Sequence, residues 1–184
     1  MTTTGIIATC NRPDCVKACP EHLRLQKRLP EQVVVVDSSP DGRTREICYG
    51  FREVLYARND GPSRLQSANR NIGLQKATGE IIAWLDDDAY AHPIWLEELL
   101  KPYDDPAVGA VGGRALRNQP DEDKRGVDQF GKLLPNGDLT GNLAADPGRN
   151  LKIGHAIGCN MSFRREIIES LGGFRGLFPG VALR

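Results

Sequence analysis

The apolar positions of this chain fall into short unbroken runs separated by longer polar stretches with helical spacing. Residues 33–36 are four valines, and residues 81–85 read Ile-Ile-Ala-Trp-Leu. Neither run alternates with polar residues as a strand with one wet face would. Both therefore predict strands buried on two faces, as in the centre of a parallel sheet. Residues 5–9, 54–57 and 108–113 predict three further strands. Residues 14–29 predict a helix carrying Val16, Leu23, Leu25 and Leu29, with Asp14 able to cap it and Pro20 expected to kink or divide it. Residues 43–50 predict a short second helix. In the third, Leu65, Ala68, Ile72 and Ala77 recur at helical intervals, Ser63 and Gln66 have the spacing of a capping box, and Gly79 is expected to end the helix. Residues 93 to about 101 form a fourth, with Pro93 suited to its first position and Trp95, Leu96, Leu99 and Leu100 on one stripe. Strand and helix alternate through residue 113, which predicts an α/β fold with a Rossmann-like, mostly parallel sheet flanked by helices.

The pattern breaks after Arg114. Residues 118–152 are polar and rich in Gly, Pro, Asn and Asp, with a hairpin signal at Pro135-Asn-Gly-Asp138. A stretch this long without a period is a functional loop or is disordered. Residues 157–163 are strand-like, and a short helix over 164–171 is stopped by Gly172 and Gly173. No period is visible in residues 174–184. One domain is expected, with residues 1–117 as a nucleotide-binding half, 118–152 as a long loop and 153–184 as the start of a second half.

Composition narrows the function classes. With 184 residues, one sizeable core is expected. Lys plus Arg equals Asp plus Glu, 24 of each, and no block of like charge occurs, so a general nucleic-acid or anionic-membrane surface is not indicated. No apolar run approaches the roughly 20 residues of a membrane span, and the expectation is a cytoplasmic chain, at most peripheral to the inner face of the membrane. The five cysteines show no paired short spacing and are expected as free thiols. Cys15, Cys19 and His22 would share one helical face, but Pro20 interrupts them and a fourth zinc ligand is not local.

The chemistry gathers where the predicted strands end. Asp86, Asp87 and Asp88 follow the run 81–85 at once, Asp37 follows the valines, and Thr9, Asn11 and Arg12 follow the first strand. In open α/β sheets ligands bind at that edge. Adjacent carboxylates repel and need a cation, a basic partner or full solvation, for which a hard divalent ion is the economical answer. A solvated acidic turn capping the next helix is the alternative reading of the triplet. The phosphate loop of nucleotide-hydrolysing enzymes is absent, as is a dinucleotide fingerprint after the first strand. The first strand also lacks the glycine-rich basic loop expected of a sugar nucleotidyltransferase.

Together these residues carry a resemblance. Ile6-Ile-Ala-Thr-Cys-Asn-Arg-Pro13, residues 33–42, Ala68-Asn-Arg-Asn-Ile-Gly73, Ala77-Thr-Gly-Glu80, Leu85-Asp-Asp-Asp88 and Gly158-Cys-Asn-Met-Ser-Phe-Arg-Arg165 with Gly172-Gly-Phe174 resemble, in order and spacing, successive blocks of the family 2 glycosyltransferases, inverting enzymes of GT-A fold. The resemblance implies that Thr9, Asn11, Arg12 and Asp37 line a nucleotide pocket, with Asp37 reading the base and Arg70 near the base or diphosphate. It implies Asp86 or Asp87 toward the ribose and Asp88 as the protein ligand of Mg²⁺ or Mn²⁺. Residues 158–162 would approach the donor sugar and acceptor. The implied donor is a nucleotide sugar, a UDP-sugar at the family level. The implied acceptor is a hydroxyl on a carbohydrate or lipid-linked molecule in polysaccharide or glycoconjugate synthesis. Ala8, Cys10 and Ser38 depart from residues common in these blocks. The family's general base usually lies in an acidic pair after the Gly-Gly-Phe block and its loop, about where this sequence stops. The resemblance thus implies either a truncated enzyme or a nucleotide-sugar-binding remnant without a catalytic base.

Overall fold

A computed structural model describes residues 1–175. Residues 176–184, where the sequence shows no period and where the loop after the Gly-Gly-Phe block falls, lie outside the described residues. The six strands are β1 (Thr3–Thr9), β2 (Gln32–Asp37), β3 (Val54–Arg58), β4 (Ile81–Asp86), β5 (Ala110–Gly112) and β6 (Asn160–Arg164). The helices are α1 (Pro13–Arg24), α2 (Arg43–Tyr49), α3 (Gln66–Lys76), α4 (Trp95–Leu100) and α5 (Arg165–Ser170). They build one sheet in the order β3-β2-β1-β4-β6-β5.

The continuous apolar runs occupy its centre because both of their faces are covered. Ile7, Val33, Val35, Ile81, Ala83 and Leu85 pack against α1, α2 and α4 through Val16, Cys19, Leu23, Cys48, Leu96 and Leu99. The alternate residues Ile6, Val34, Val36, Ile82 and Trp84 face the other way, onto Leu74 and Ala77 at α3 and Ile168 of α5. Fully burying one such side chain contributes roughly 1.5–3 kcal/mol, so the two-sided runs dominate the core. Phe163 and Phe174 stand edge-on to the Trp84 ring, with centroids 5.7 and 5.0 Å away.

Several local expectations are corrected. α1 runs through Pro20 as one helix and ends at Arg24 rather than residue 29. The capping box does not form: Leu65 occupies the cap position of α3, and the Gln66 side chain instead donates to Asp86. α3 stops at Lys76, with Ala77 in extended geometry, so Gly79 does not end it. Gly79 is required by close approach, since a Cβ there would lie 2.5 Å from the Thr4 nitrogen of β1. α4 begins at Trp95, after Pro93, and passes into a 3-10 turn over Lys101–Asp104. The sequence assigned β5 no neighbour; in the sheet β6 inserts antiparallel between β4 and β5. The stretch 118–152 is a folded loop with a 3-10 turn at Val127–Gln129 and a bridge between Leu133 and Leu139 around the expected hairpin.

Candidate functional site

The strand order fixes where a ligand can lie. β2 and β3 extend the sheet to one side of β1, and β4 and β6 extend it to the other, so the direction of chain progression reverses between β1 and β4. Registers place Thr9 beside Asp37 and Ala8 beside Asp86. The residues following the three strands therefore leave the sheet at one level and open the crevice characteristic of a topological switch point.

Within that crevice the acidic triplet separates into three environments. Asp87 turns inward and is buried; it accepts hydrogen bonds from the Thr9 hydroxyl at 2.6 Å and from Arg12 Nη1 at 3.1 Å. Asp88 is exposed and meets the same guanidinium nitrogen at 2.9 Å. The two carboxylates hold the Arg12 pKa above its ordinary value. Asp86 is partly buried, accepts from Gln66 at 2.9 Å and lies 3.5 Å from Arg70. Burial raises the Asp86 pKa, Arg70 pulls it down, and Asp88 and Asp87 push it up again. Arg70 is itself largely buried against Gly158, whose carbonyl accepts from it at 3.1 Å, and stacks over Phe174. Burial lowers its pKa and Asp86 opposes that shift.

Asp37 is fully buried. It accepts from the Ser39 backbone at 2.8 Å and from the Tyr56 hydroxyl at 3.0 Å, with Arg58 3.9 Å away. Asn11 stands on the turn after β1 with φ of 58°, a left-handed conformation that Asn tolerates, and its backbone donates to the Ser39 hydroxyl at 2.8 Å. Thr9, Arg12, Asp86, Asp87 and Asp88 are thus brought into direct contact or adjacency. Asn11 and Asp37 meet around Ser39, one strand over, and Arg70 joins from α3.

Other side chains of this edge escaped sequence reasoning. Asn69 is buried and donates to Ser38 Oγ at 3.1 Å while accepting from Asn59 at 2.6 Å, which ties α3 to the ends of β2 and β3. It stands inside the block Ala68–Gly73 on which the resemblance rests, so a signal existed. Trp95 Nε1 donates to Asn160 at 2.8 Å, and Asn160 donates to the Arg114 carbonyl at 2.7 Å. Tyr56 and Trp95 carry no local signal, because their partners Asp37 and Asn160 lie 19 and 65 residues away.

Among the described residues no three His, Cys, Asp or Glu side chains could together hold a metal. The triplet fans out instead of converging. Asp88, exposed and oxygen-donating, fits a hard divalent ion as a single ligand when diphosphate oxygens and water complete the shell. The Cys15, Cys19 and His22 face does not supply another centre; burial, with the triplet's charge, pushes the Cys19 thiol up to about 12.

A mostly parallel six-stranded sheet with this polar carboxyl edge defines a GT-A type transferase fold, and solved structures agree. A mannosyltransferase of Pyrobaculum calidifontis, in complex with GDP-Man and Mn²⁺, superposes with a TM-score of 0.67 at 24% identity, over 94% of this chain and 47% of that one. S. aureus TarS 1-349 in complex with UDP gives 0.70 at 19% identity, over 96% and 50%. The glycosyl transferase family 2 model matches residues 4–172, and the chain belongs to that family. It is 30% identical to the glucosyl-dolichyl phosphate glucuronosyltransferase of Haloferax volcanii over 148 residues, 78% of this chain and 45% of the relative. It is 29% identical to the O-antigen chain rhamnosyltransferase WbaN of Salmonella anatum over 154 residues, 81% and 47%. The chain spans less than half the length of these curated relatives.

Proposed function

We propose that this chain forms the donor-binding part of a metal-assisted glycosyltransferase that moves a sugar, with inversion, from a nucleotide donor to a hydroxyl of a carbohydrate or lipid-linked acceptor. The observation that carries the reading is the meeting of Thr9, Arg12 and residues 86–88 across the switch point of a family 2 chain. Neighbours solved with GDP-Man and Mn²⁺ and with UDP support a nucleotide diphosphate as ligand, and a UDP-sugar is the donor we favour.

Asp88 would hold Mg²⁺ or Mn²⁺, and the ion when bound supplies positive charge that stabilises the departing diphosphate. Arg12, already bridging Asp87 and Asp88, is released toward a phosphate once Asp88 has another partner. Asp86 or Asp87 faces the ribose; Asp86 is the more accessible, because Asp87 is closed in by Thr9 and Arg12. Asp37 acts at the base, which requires the Tyr56 hydroxyl to leave its carboxylate. Arg70, beside Gly158, serves the base or diphosphate end, with residues 158–162 next to the sugar.

Inverting transfer needs a carboxylate to take the acceptor's proton as its oxygen attacks the anomeric carbon in line. Asp121, Asp123, Asp128 and Asp138 are exposed on the long loop, and we assign none of them that role. This observation favours a second reading, nucleotide-sugar binding without transfer.

Calorimetric titration with UDP and GDP, with and without Mn²⁺, tests the donor site in wild type and in Asp88→Ala. Binding that needs the ion and is lost in the variant is expected. Because Asp88 is exposed, the variant should keep its thermal stability to within about 0.5 kcal/mol. Metal-independent binding, or binding indifferent to Asp88→Ala, would refute the assigned metal ligand.

A further inference from the structure

The three carboxylates at the end of β4 are met by two guanidinium groups. Arg70 lies 3.5 Å from Asp86, while a single nitrogen of Arg12, Nη1, reaches Asp87 at 3.1 Å and Asp88 at 2.9 Å. Among the described residues Arg12 is the one cation within ion-pair distance of Asp88. The pairing leaves one negative charge in excess over the cluster. Repulsion within the triplet is thus largely offset inside the chain itself.

Arg12 is placed both to hold these carboxylates and to leave them. It stands immediately before α1, with Pro13 stiffening the first position of that helix. Its side chain is half-exposed, so the guanidinium can turn while the backbone stays. The two carboxylates differ in what they keep when it does. Asp87 is buried and retains the Thr9 hydroxyl at 2.6 Å. The Asp88 side chain is exposed and has no other hydrogen-bond partner among the described residues.

Asp88 is also the group assigned to the divalent ion above. An ion at that carboxylate would stand beside the Arg12 guanidinium, and the local excess would change from one negative charge to one positive. Cations held that close oppose each other. A nucleoside diphosphate reverses the balance, because its phosphate oxygens can accept from Arg12 and ligate the ion at once.

We propose that Arg12 couples the two ligands of the donor site: it holds a divalent ion off Asp88 until a nucleoside diphosphate draws the guanidinium away, so that ion and nucleotide bind with positive cooperativity and the ion alone binds poorly. The coupling rests on the metal-assisted reading above and adds to it an interdependence that Asp88 by itself does not impose. Linkage makes it reciprocal: the nucleotide tightens the ion by the same factor by which the ion tightens the nucleotide. An Arg12 that touched phosphate without competing at Asp88 would give a different pattern, in which its loss weakens the nucleotide and leaves the ion unaffected.

The test follows free Mn²⁺ by electron paramagnetic resonance, with and without UDP, and UDP by calorimetry, with and without Mn²⁺, in wild type, Arg12→Gln and Arg12→Lys. In wild type UDP should tighten Mn²⁺ roughly tenfold or more, and Mn²⁺ should tighten UDP equally. Arg12→Gln removes the competing charge, so Mn²⁺ without nucleotide should bind roughly tenfold tighter than in wild type, and the cooperativity should shrink toward none. Arg12→Lys keeps a cation and should keep most of the cooperativity. Circular dichroism of both variants should match wild type, since Arg12 lies outside the core, and the wild-type arm is independent of their folding. Wild type that binds Mn²⁺ alone as tightly as with UDP overturns the proposal and leaves the donor reading standing. So does an Arg12→Gln protein whose Mn²⁺ affinity is unchanged while UDP is weakened equally with and without the ion. Absence of Mn²⁺ binding from all three proteins, with UDP present or not, would remove the metal-assisted reading and the coupling with it.

Discussion

At the scale of single residues, three adjacent aspartates meet three different fates. Asp87 is closed in by Thr9 and Arg12, Asp88 is open to solvent and ions, and Asp86 sits between, half covered beside Arg70. Burial acts against both members of the Asp86 and Arg70 pair, raising one pKa and lowering the other, so desolvation outweighs their mutual attraction. The sign of the pH dependence follows. An Asp86 pKa above its unfolded value means that the folded chain holds that proton more tightly. Its stabilising contribution is present below the ordinary carboxylate range and is lost as pH rises through the raised value. For ligand binding, ionised Asp86 is lost on acidification earlier than an exposed carboxylate would be. Arg70→Met removes the influence that lowers this pKa, so the acid limb of nucleotide affinity against pH should move to higher pH. Titration of Asp86 by carbon NMR in both proteins checks the cause; a limb that stays in place would show that Arg70 does not control this charge.

At the scale of elements, close packing between neighbours overrides local capping chemistry. Ser63 and Gln66 have capping spacing, yet the carboxylate of Asp86, distant in sequence, takes the Gln66 amide. Gly79 looks like a helix terminator, but its role is to let the segment before β4 pass against the Thr3 and Thr4 backbone of β1. Gly79→Ala should therefore destabilise by about 1–3 kcal/mol, the usual cost of overpacking, although alanine favours helices. Urea denaturation reads this as a lower midpoint with an unchanged slope, and an unchanged midpoint would mean that the two segments separate freely. The strand-like stretch 157–163 does form β6, Asn160–Arg164, but its place in the sheet has no counterpart in the local pattern. It arrives after a long loop and inserts between β4 and β5, which leaves the short β5 at the sheet edge.

At the scale of the whole molecule, one sheet edge collects both the cluster of Thr9, Arg12 and the acidic triplet and the roots of the long loop. Trp95 of α4 and Asn160 at the start of β6 form the clamp between them. Trp95→Phe keeps the apolar packing and leaves Asn160 Oδ1 unpaired, which should cost about 1 kcal/mol and loosen residues 114–158. Hydrogen exchange should show faster amides in that loop with protection of β1, β2 and β4 retained; uniform protection would show that the clamp does not hold the loop. Much of this design was legible in the sequence. The unbroken runs at 33–36 and 81–85 determined two-sided burial, because a strand wet on one face cannot carry consecutive valines. The polar residues following each run determined which ones would reach the sheet edge, because a strand delivers its last side chains there. Tertiary structure alone decided the rest: which aspartate is buried, that Tyr56 and Ser39 cover Asp37, that Asn69 joins α3 to two strand ends, and that β6 separates β4 from β5. Apart from Ser39, two residues from Asp37, those partners lie 10 residues apart for Asn59 and Asn69, 19 for Tyr56 and Asp37 and 78 for Thr9 and Asp87, and they meet only when the sheet closes its order.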